Sequence, residues 1–313
     1  MKRAFLFPGQ GSQAVGMGKA LAEAFAPARE VFAEVDDALG QKLSALMFEG
    51  PEADLKLTTN TQPALMAVSM AVMRVLEKEF GKPLNTLADY VAGHSLGEYA
   101  ALCAAGTFSL ADTTRLLRLR GGSMQAAVPV GIGAMAALLG ADLEGATEVA
   151  AAAAQGEVCA AANDNAPGQV VISGHKAAVE RALVLAAEKG FKRSVMLQVS
   201  APFHCALMQP AADVMRDALE KTAMRAPVVP LIANVTADET VDPATIRRQL
   251  VEQVTGMVRW RESMLKLKIL GVSSAVEAGS GAVLAGLMKR IDKDIQTVSI
   301  HTPADIETFL KTL

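Results

Sequence analysis

Cysteine is scarce in this 313-residue sequence, and the three present, Cys103, Cys159 and Cys205, lie far apart. An odd number at such spacings excludes a disulfide framework and offers no metal-ligand pattern. The chain therefore reads as a reduced, cytoplasmic protein without a metal site. Long hydrophobic runs are also missing. A membrane-spanning helix needs about 18 or more apolar residues in a row, and no stretch goes that far without a charge or turn former nearby. The N-terminal MKRAFLFPGQ has two basic residues, but its apolar run stops at Pro8 after four residues, too short for a signal peptide. Nor is there a basic excess: the formal net charge of −3 argues against a partner gripped by its phosphate backbone, so no nucleic acid is expected. Aromatics make up only 4%. Alanine and leucine carry most of the 51% hydrophobic content, which suits helices laid over a sheet. The length allows one elaborated domain or two.

What is present has α/β grammar. RAFLF (3–7) reads as a buried strand ended by the PGQGSQ turn, and 17–47 as helical. QPALMAVSMAVMRVLEKEF (62–80) is a long apolar helix stopped by Gly81 and Pro83. TLADYVAG (86–93) is a strand, LGEYAALCAAG (96–106) a helix, and 109–128 a further helix with Ser109 as its N-cap. Then the rhythm changes to strand 133–140, helix 141–155, strands 157–164 and 169–174, helix 175–190 and strand 192–199. That order, β-α-β-β-α-β, is the ferredoxin-like unit, and it interrupts a larger α/β domain. The larger domain resumes with strand 228–234, helices 243–255 and 260–270, strand 272–279, helix 282–291 and strand 297–300. The expected division is 1–128 with 199–313 as one discontinuous domain and 129–198 as the inserted one.

Gly93-His94-Ser95-Leu96-Gly97 fits G-x-S-x-G. Between a strand and a helix this pattern holds a serine on a sharp turn, where the glycines lack Cβ atoms that would collide. The helix from Leu96 would aim its first N–H groups at the site. A plainer reading remains open, in which Ser95 only caps that helix. A nucleophilic serine needs a base, and there are four histidines. His94 is adjacent and points elsewhere; His175 sits at a helix start as a cap. His204, in QVSAPFHCALM (198–208), lies where the chain re-enters the larger domain, a cleft position. His204 is preferred, with His301 as the alternative. Gln10, between two glycines of the PGQGSQ turn, is placed to offer a second backbone donor, though an ordinary turn reads the same. On the helix 109–128, Arg120 shares a face with Leu116, Leu117 and Met124, while Arg115 and Arg118 can be solvated. A guanidinium turned to an apolar face needs a partner. Two candidates stay open, Glu98 and a substrate anion.

Together these segments resemble one family, the bacterial malonyl-CoA:acyl carrier protein transacylases. The resemblance rests on FPGQGSQ (7–13), NTQPAL (60–65), GHSLGEYAAL (93–102), the R-G-x-x-M-Q run at 120–125, NAPGQVVISG (165–174), APFHCALM (201–208) and the Gln253/Trp260 segment, and it covers essentially the whole chain. It implies an α/β-hydrolase-like large domain with an inserted ferredoxin-like small domain. It also implies Ser95 as nucleophile, His204 as base, and the Gln10 and Leu96 amides as oxyanion donors. The implied substrate-binding set is Arg120, as clamp on the malonyl carboxylate, with Gln253, Phe203 and Asn163. Gln253 also supplies a main-chain carbonyl that orients the histidine. Phe203 leans toward malonyl, and Asn163 with Asn165 toward the pantetheine arm. Malonyl-CoA and acyl carrier protein are the implied substrates; no cofactor is expected, and the sequence leaves the oligomeric state open, with a monomer as the working expectation. Ser280 departs from the proline usual there. Lys189, Lys192, Arg193, Lys266, Lys268, Lys289 and Arg290 are candidates for an acidic carrier protein. Two rivals share the motifs: a serine esterase or thioesterase on the same turn, and a non-catalytic carrier-binding module.

Overall fold

The computed structural model describes residues 2–199 and 201–313. Met1 and Ser200, which fall within the expected domain bounds and the 198–208 segment, lie outside the described residues. Ten strands are described: β1 (Lys2–Phe7), β2 (Tyr90–Gly93), β3 (Gly133–Leu139), β4 (Cys159–Ala166), β5 (Gln169–His175), β6 (Val195–Met196), β7 (Leu231–Ile232), β8 (Glu239–Thr240), β9 (Val272–Ala278) and β10 (Gln296–Ile300). They form two sheets. The larger has the order β10-β9-β1-β2-β7-β8 and is parallel except for the short β7–β8 pair. The smaller, β4-β5-β3-β6, is antiparallel throughout. Strand, helix, two strands, helix and strand in that pairing order make a ferredoxin-like sheet. The chain is thus an α/β protein with a parallel sheet and a separate antiparallel one.

β1 shows why the larger sheet is central. Successive side chains point to opposite faces, and both faces are covered. Phe5 and Phe7 join the core under the helices Ala26–Leu39, Thr58–Lys78 and Leu96–Ala104, whereas Ala4 and Leu6 join Trp260, Met264, Leu284 and Met288 on the other side. A parallel strand buried on both faces reads as a continuous apolar run, which AFLF (4–7) is. The smaller sheet has its own core from alanines and valines of the helices Leu143–Ala154 and Lys176–Glu188.

The two sheets are joined by backbone and charge. Val258 N–H donates to Ala162 O at 2.9 Å and Val258 O accepts from Asp164 N–H at 3.0 Å. The buried Asp164 carboxylate takes Arg261 Nη2 at 2.8 Å and Nε at 3.0 Å, a forked arrangement that fixes direction as well as distance.

Several expectations shift at their edges. The helical stretch 17–47 is three helices, Lys19–Ala24, Ala26–Leu39 and Leu43–Glu49. Pro27 opens the second, and Gly40, at φ 58°, ends it. The apolar helix begins at Thr58, a turn before 62. The stretch 86–93 divides into a helical turn, Leu84–Leu87, and β2. Strand 192–199 shrinks to the two residues of β6, both exposed on the sheet edge, and strand 228–234 to the two of β7. The helices Gln209–Lys221 and Pro303–Leu310 were not foreseen. Among the described residues, no helix is long and apolar enough to cross a membrane.

Ser109 does cap the helix Leu110–Ala126, accepting Asp112 N–H at 3.0 Å. That helix lies tightly on Thr58–Lys78. A Cβ on Gly121 would come within 2.5 Å of Thr58 O, whereas one on Gly122 would meet nothing nearer than Thr59 Oγ1 at 3.7 Å. Helix propensity favours alanine over glycine by about 1 kcal/mol at either site. Gly122→Ala should therefore stabilise by up to about that amount. Gly121→Ala should instead destabilise by about 2 kcal/mol or more, because backbone must move. Urea unfolding of the two variants separates them; equal shifts would show that the helix contact is loose.

Candidate active site

Ser95 sits on the turn between β2 and the helix Leu96–Ala104 with φ 55° and ψ −110°, a conformation that side chains rarely adopt. Its glycine neighbours are required by backbone contacts. A Cβ on Gly93 would lie 1.9 Å from Gly97 O, and one on Gly97 would lie 2.2 Å from Phe7 O. The strained turn is held by Asn234, just after β7. Its Oδ1 accepts Ser95 N–H at 2.8 Å and its Nδ2 donates to Gly93 O at 2.7 Å. Sequence reasoning missed Asn234; its one signal was a polar residue closing the apolar run VVPLIAN.

His204 reaches Ser95 from 109 residues downstream, with Nε2 2.8 Å from Ser95 Oγ. Its Nδ1 lies 2.8 Å from Gln253 O and 3.1 Å from Gly256 O. Carbonyl oxygens only accept, so Nδ1 carries the proton and Nε2 offers its lone pair to the hydroxyl. Burial, and then the Arg120 charge, push the imidazole pKa down from 6.5 to about 3, against the pull of the two carbonyls. The ring is therefore neutral across the physiological range, and the serine hydroxyl can donate to it. His301 plays no part here; its Nδ1 is 3.4 Å from Asp305 Oδ2, away from the cavity. His175 stands at the N-cap position of Lys176–Glu188 but does not cap with its side chain. Its Nδ1 accepts Val158 N–H at 2.9 Å instead. His94 borders the cavity, with Nε2 2.8 Å from Asn165 Oδ1.

Arg120 is 1% exposed. Its Nη1 donates to Gln62 Oε1 at 2.9 Å, and Nη2 donates to Gln253 Oε1 at 2.9 Å and Ser95 Oγ at 3.1 Å. The Tyr99 ring centroid lies 5.6 Å from its Cζ. All of these partners are uncharged, and Nε has no partner among the described residues. Glu98, the internal carboxylate weighed from the sequence, is not in contact with it. Glu98 takes the N–H of Asn234 at 3.3 Å and the side-chain amide of Gln253. Gln62 was not singled out from the sequence as a ligand of Arg120. Arg118, expected to be solvated, is half-buried and donates to Asn60 Oδ1 at 2.7 Å.

These groups open on a cavity of about 360 Å³ between the two sheets. Ser95, Leu96, Arg120, His204, Gln10 and Phe203 border it from the larger sheet's side, and Met135, Asn163, Asn165 and Val171 from the smaller sheet's. Leu96 begins its helix, so its N–H has no acceptor within the helix. Gln253, grouped with the substrate-binding residues, does not border the cavity. It stands behind Arg120 and under His204, and its Nε2 also donates to Ser95 O at 2.9 Å. Ser280 Oγ donates to Ser12 O at 2.7 Å, tying down the loop that carries Gln10. Of the seven basic candidates, Lys189, Lys266 and Lys268 are in ion pairs with carboxylates, and Arg290 is bonded to Gln169 and Pro167 O. Lys192, Arg193 and Lys289 make no ion pair among the described residues.

The chain belongs to the acyl transferase domain family, whose profile matches residues 4–301. It is 45% identical, over all of its length and 97% of the relative's, to the malonyl CoA-acyl carrier protein transacylase of Bacillus subtilis strain 168. The crystal structure of the acyl-carrier-protein S-malonyltransferase from Bartonella henselae superposes with a TM-score of 0.97 at 56% identity, covering 100% of this chain and 99% of that one. A malonyl-transacylase solved in complex with a type II PKS acyl-carrier protein superposes at 0.96, with 42% identity and full coverage of both chains.

The His204 environment sets a pH dependence with a definite sign. The unfolded chain binds a proton there near 6.5 and the folded protein only near about 3, so between those values the unfolded state holds more protons. This residue's contribution to stability is lost as pH falls from 6.5 toward 3. His204→Gln removes that term. Its stability relative to wild type should rise by about 1.4 kcal/mol for each pH unit of acidification in this window. Urea midpoints at several pH values test it; a constant difference would mean a solvated imidazole.

Proposed function

We propose that this chain transfers a malonyl group from malonyl-CoA to the phosphopantetheine thiol of an acyl carrier protein, through a malonyl ester on Ser95. The observation that carries the reading is the buried Arg120 guanidinium, 3.1 Å from the Ser95 hydroxyl, with only neutral partners of its own. A malonyl carboxylate completes it with two parallel charge-assisted hydrogen bonds; an acetyl group leaves it as it is. His204 Nε2 takes the Ser95 proton as Oγ attacks the thioester carbonyl. The backbone N–H groups of Leu96 and Gln10 meet the oxyanion. The intermediate collapses, the C–S bond breaks, and the proton passes from His204 to the departing CoA thiolate. The carrier thiol then attacks the ester by the reverse steps.

Arg120 has a second effect. Its charge is one of the causes that depress His204, and a carboxylate seated on the guanidinium cancels that field. Binding of the correct substrate therefore raises the basicity of the group that must accept the serine proton. Phe203 and Asn163 border the acyl and pantetheine ends of the cavity in this reading. No cofactor is called for, and the working form is a cytoplasmic monomer in which 129–198 is the inserted domain. A serine esterase would share Ser95 and His204 but has no use for a buried cation beside the nucleophile. A non-catalytic carrier-binding module has no use for a neutral imidazole aligned on a strained serine.

Incubation with malonyl-CoA should add the mass of one malonyl group to the intact protein and none to Ser95→Ala. An unmodified wild-type protein would refute the reading. Arg120→Ala should lower kcat/KM for malonyl-CoA by about 100-fold or more while leaving slow acetyl transfer nearly unchanged. If Lys192, Arg193 and Lys289 meet an acidic carrier, added salt should slow transfer to the carrier far more than acylation by CoA. Equal slowing would remove them from the interface.

A further inference from the structure

Glu98 is a buried carboxylate that the reaction just described does not use. It is 1% exposed and lies on the helix that begins at Leu96. Its oxygens meet two N–H donors, Gln253 Nε2 and Asn234 N. The same Gln253 amide turns its oxygen to Arg120 Nη2 at 2.9 Å. Because the guanidinium can only donate, that contact fixes the amide's orientation and leaves its NH2 for Glu98. A buried carboxyl group and a buried cation are thus separated by one side-chain amide and do not touch. The structure assigns Glu98 as the internal counter-charge of Arg120, and we propose that its ionisation competes with the acyl carboxylate for that cation. Glu98 is on this view a specificity-determining residue. The inference rests on the malonyl reading of the site.

Two protonation states follow. With Glu98 neutral, Arg120 presents an uncompensated charge and a carboxylated acyl group is strongly preferred. With Glu98 ionised, the region is already neutral, and an incoming carboxylate adds a second buried negative charge, which the low-dielectric surroundings resist. Burial raises the Glu98 pKa to about 8, against the opposing hydrogen bonds of Gln253 and Asn234 and the charge of Arg120. The groups that face it are Gln253 from Pro243–Thr255, Asn234 after β7, Arg120 from Leu110–Ala126 and Tyr99 on its own helix. Burial pushes Tyr99 far above its ordinary value and Arg120 is lowered from 12.5, so Glu98 is the group of this set that titrates near 8.

The test uses the full-length Ser95→Ala protein, in which acylation is blocked, and reads Kd by calorimetry from about pH 7 to 9. The Kd for malonyl-CoA should rise about tenfold across that range. The Kd for acetyl-CoA, which shares the CoA portion and its titrations, should stay within about twofold. In Ser95→Ala/Glu98→Gln, where an amide of equal size still accepts from Gln253, malonyl-CoA binding should become flat with pH. A pH-independent malonyl Kd in the parent, equal weakening of both thioesters, or persistence of the trend in the double variant would each overturn the role of Glu98. If the double variant does not fold, the paired malonyl and acetyl profiles of the parent decide alone. A parent that shows no malonyl preference even at pH 7 would instead take down the malonyl reading, and this inference with it.

Discussion

One desolvated positive charge organises the site. Arg120 lies among an amide oxygen from each of two helices, the serine hydroxyl and a tyrosine face. A cation buried without an anion is expensive, and the surrounding fold can be read as the set of contacts that make it tolerable. Gly121 lets the Arg120 helix press against Thr58–Lys78, which brings Gln62 within reach. Gln253 comes from the opposite side and ties the cation to the serine backbone as well. The carboxylate nearest in sequence is held one amide away. A charge so arranged has its hydrogen-bonding capacity partly unspent in the free protein.

The histidine illustrates the same economy of charge. Main-chain carbonyls orient its Nδ1 proton, so the tautomer is fixed without placing an anion beside it. An aspartate in that position would raise the basicity of the imidazole and would also offer Arg120 a competing long-range partner. Carbonyl dipoles do the first job only weakly and avoid the second. The cost is a ring that stays neutral in acid, and in the proposed reaction the substrate itself relieves that cost.

Much of this was legible in the sequence because the constraints were local. The elbow showed as a five-residue G-x-S-x-G pattern, although Gly97 answers to Phe7 O in β1, and Arg120 betrayed itself by helical periodicity. The β-α-β-β-α-β order was readable from alternating patterns, and its inserted position followed from the return to α/β rhythm at 228. What stayed hidden depends on long-range partners. Asn234 braces a serine 139 residues away, and nothing in its neighbourhood distinguishes it from a turn asparagine. Gln62 looked like part of a helix start. Residues 192–199 had strand composition, yet the ladder to β3 holds only Val195 and Met196, with one further bond from Leu197 N–H to Met135 O at 2.9 Å. The breaks at Pro27 and Gly40 were visible as letters and were overridden by the apolar periodicity around them.

The stretch from Gln253 to Arg261 serves as a mechanical hub. Its carbonyls at 253 and 256 hold the imidazole, and Arg259 N–H donates to Asn234 O at 3.0 Å, behind the serine turn. Val258 bridges to β4, and Arg261 grips Asp164 there. The smaller sheet is therefore not an independent cap that can be exchanged at its two chain crossings. A chimera built by transplanting that sheet from another acyltransferase would have to bring the 253–261 segment with it, or the graft would tilt the very carbonyls that aim the histidine.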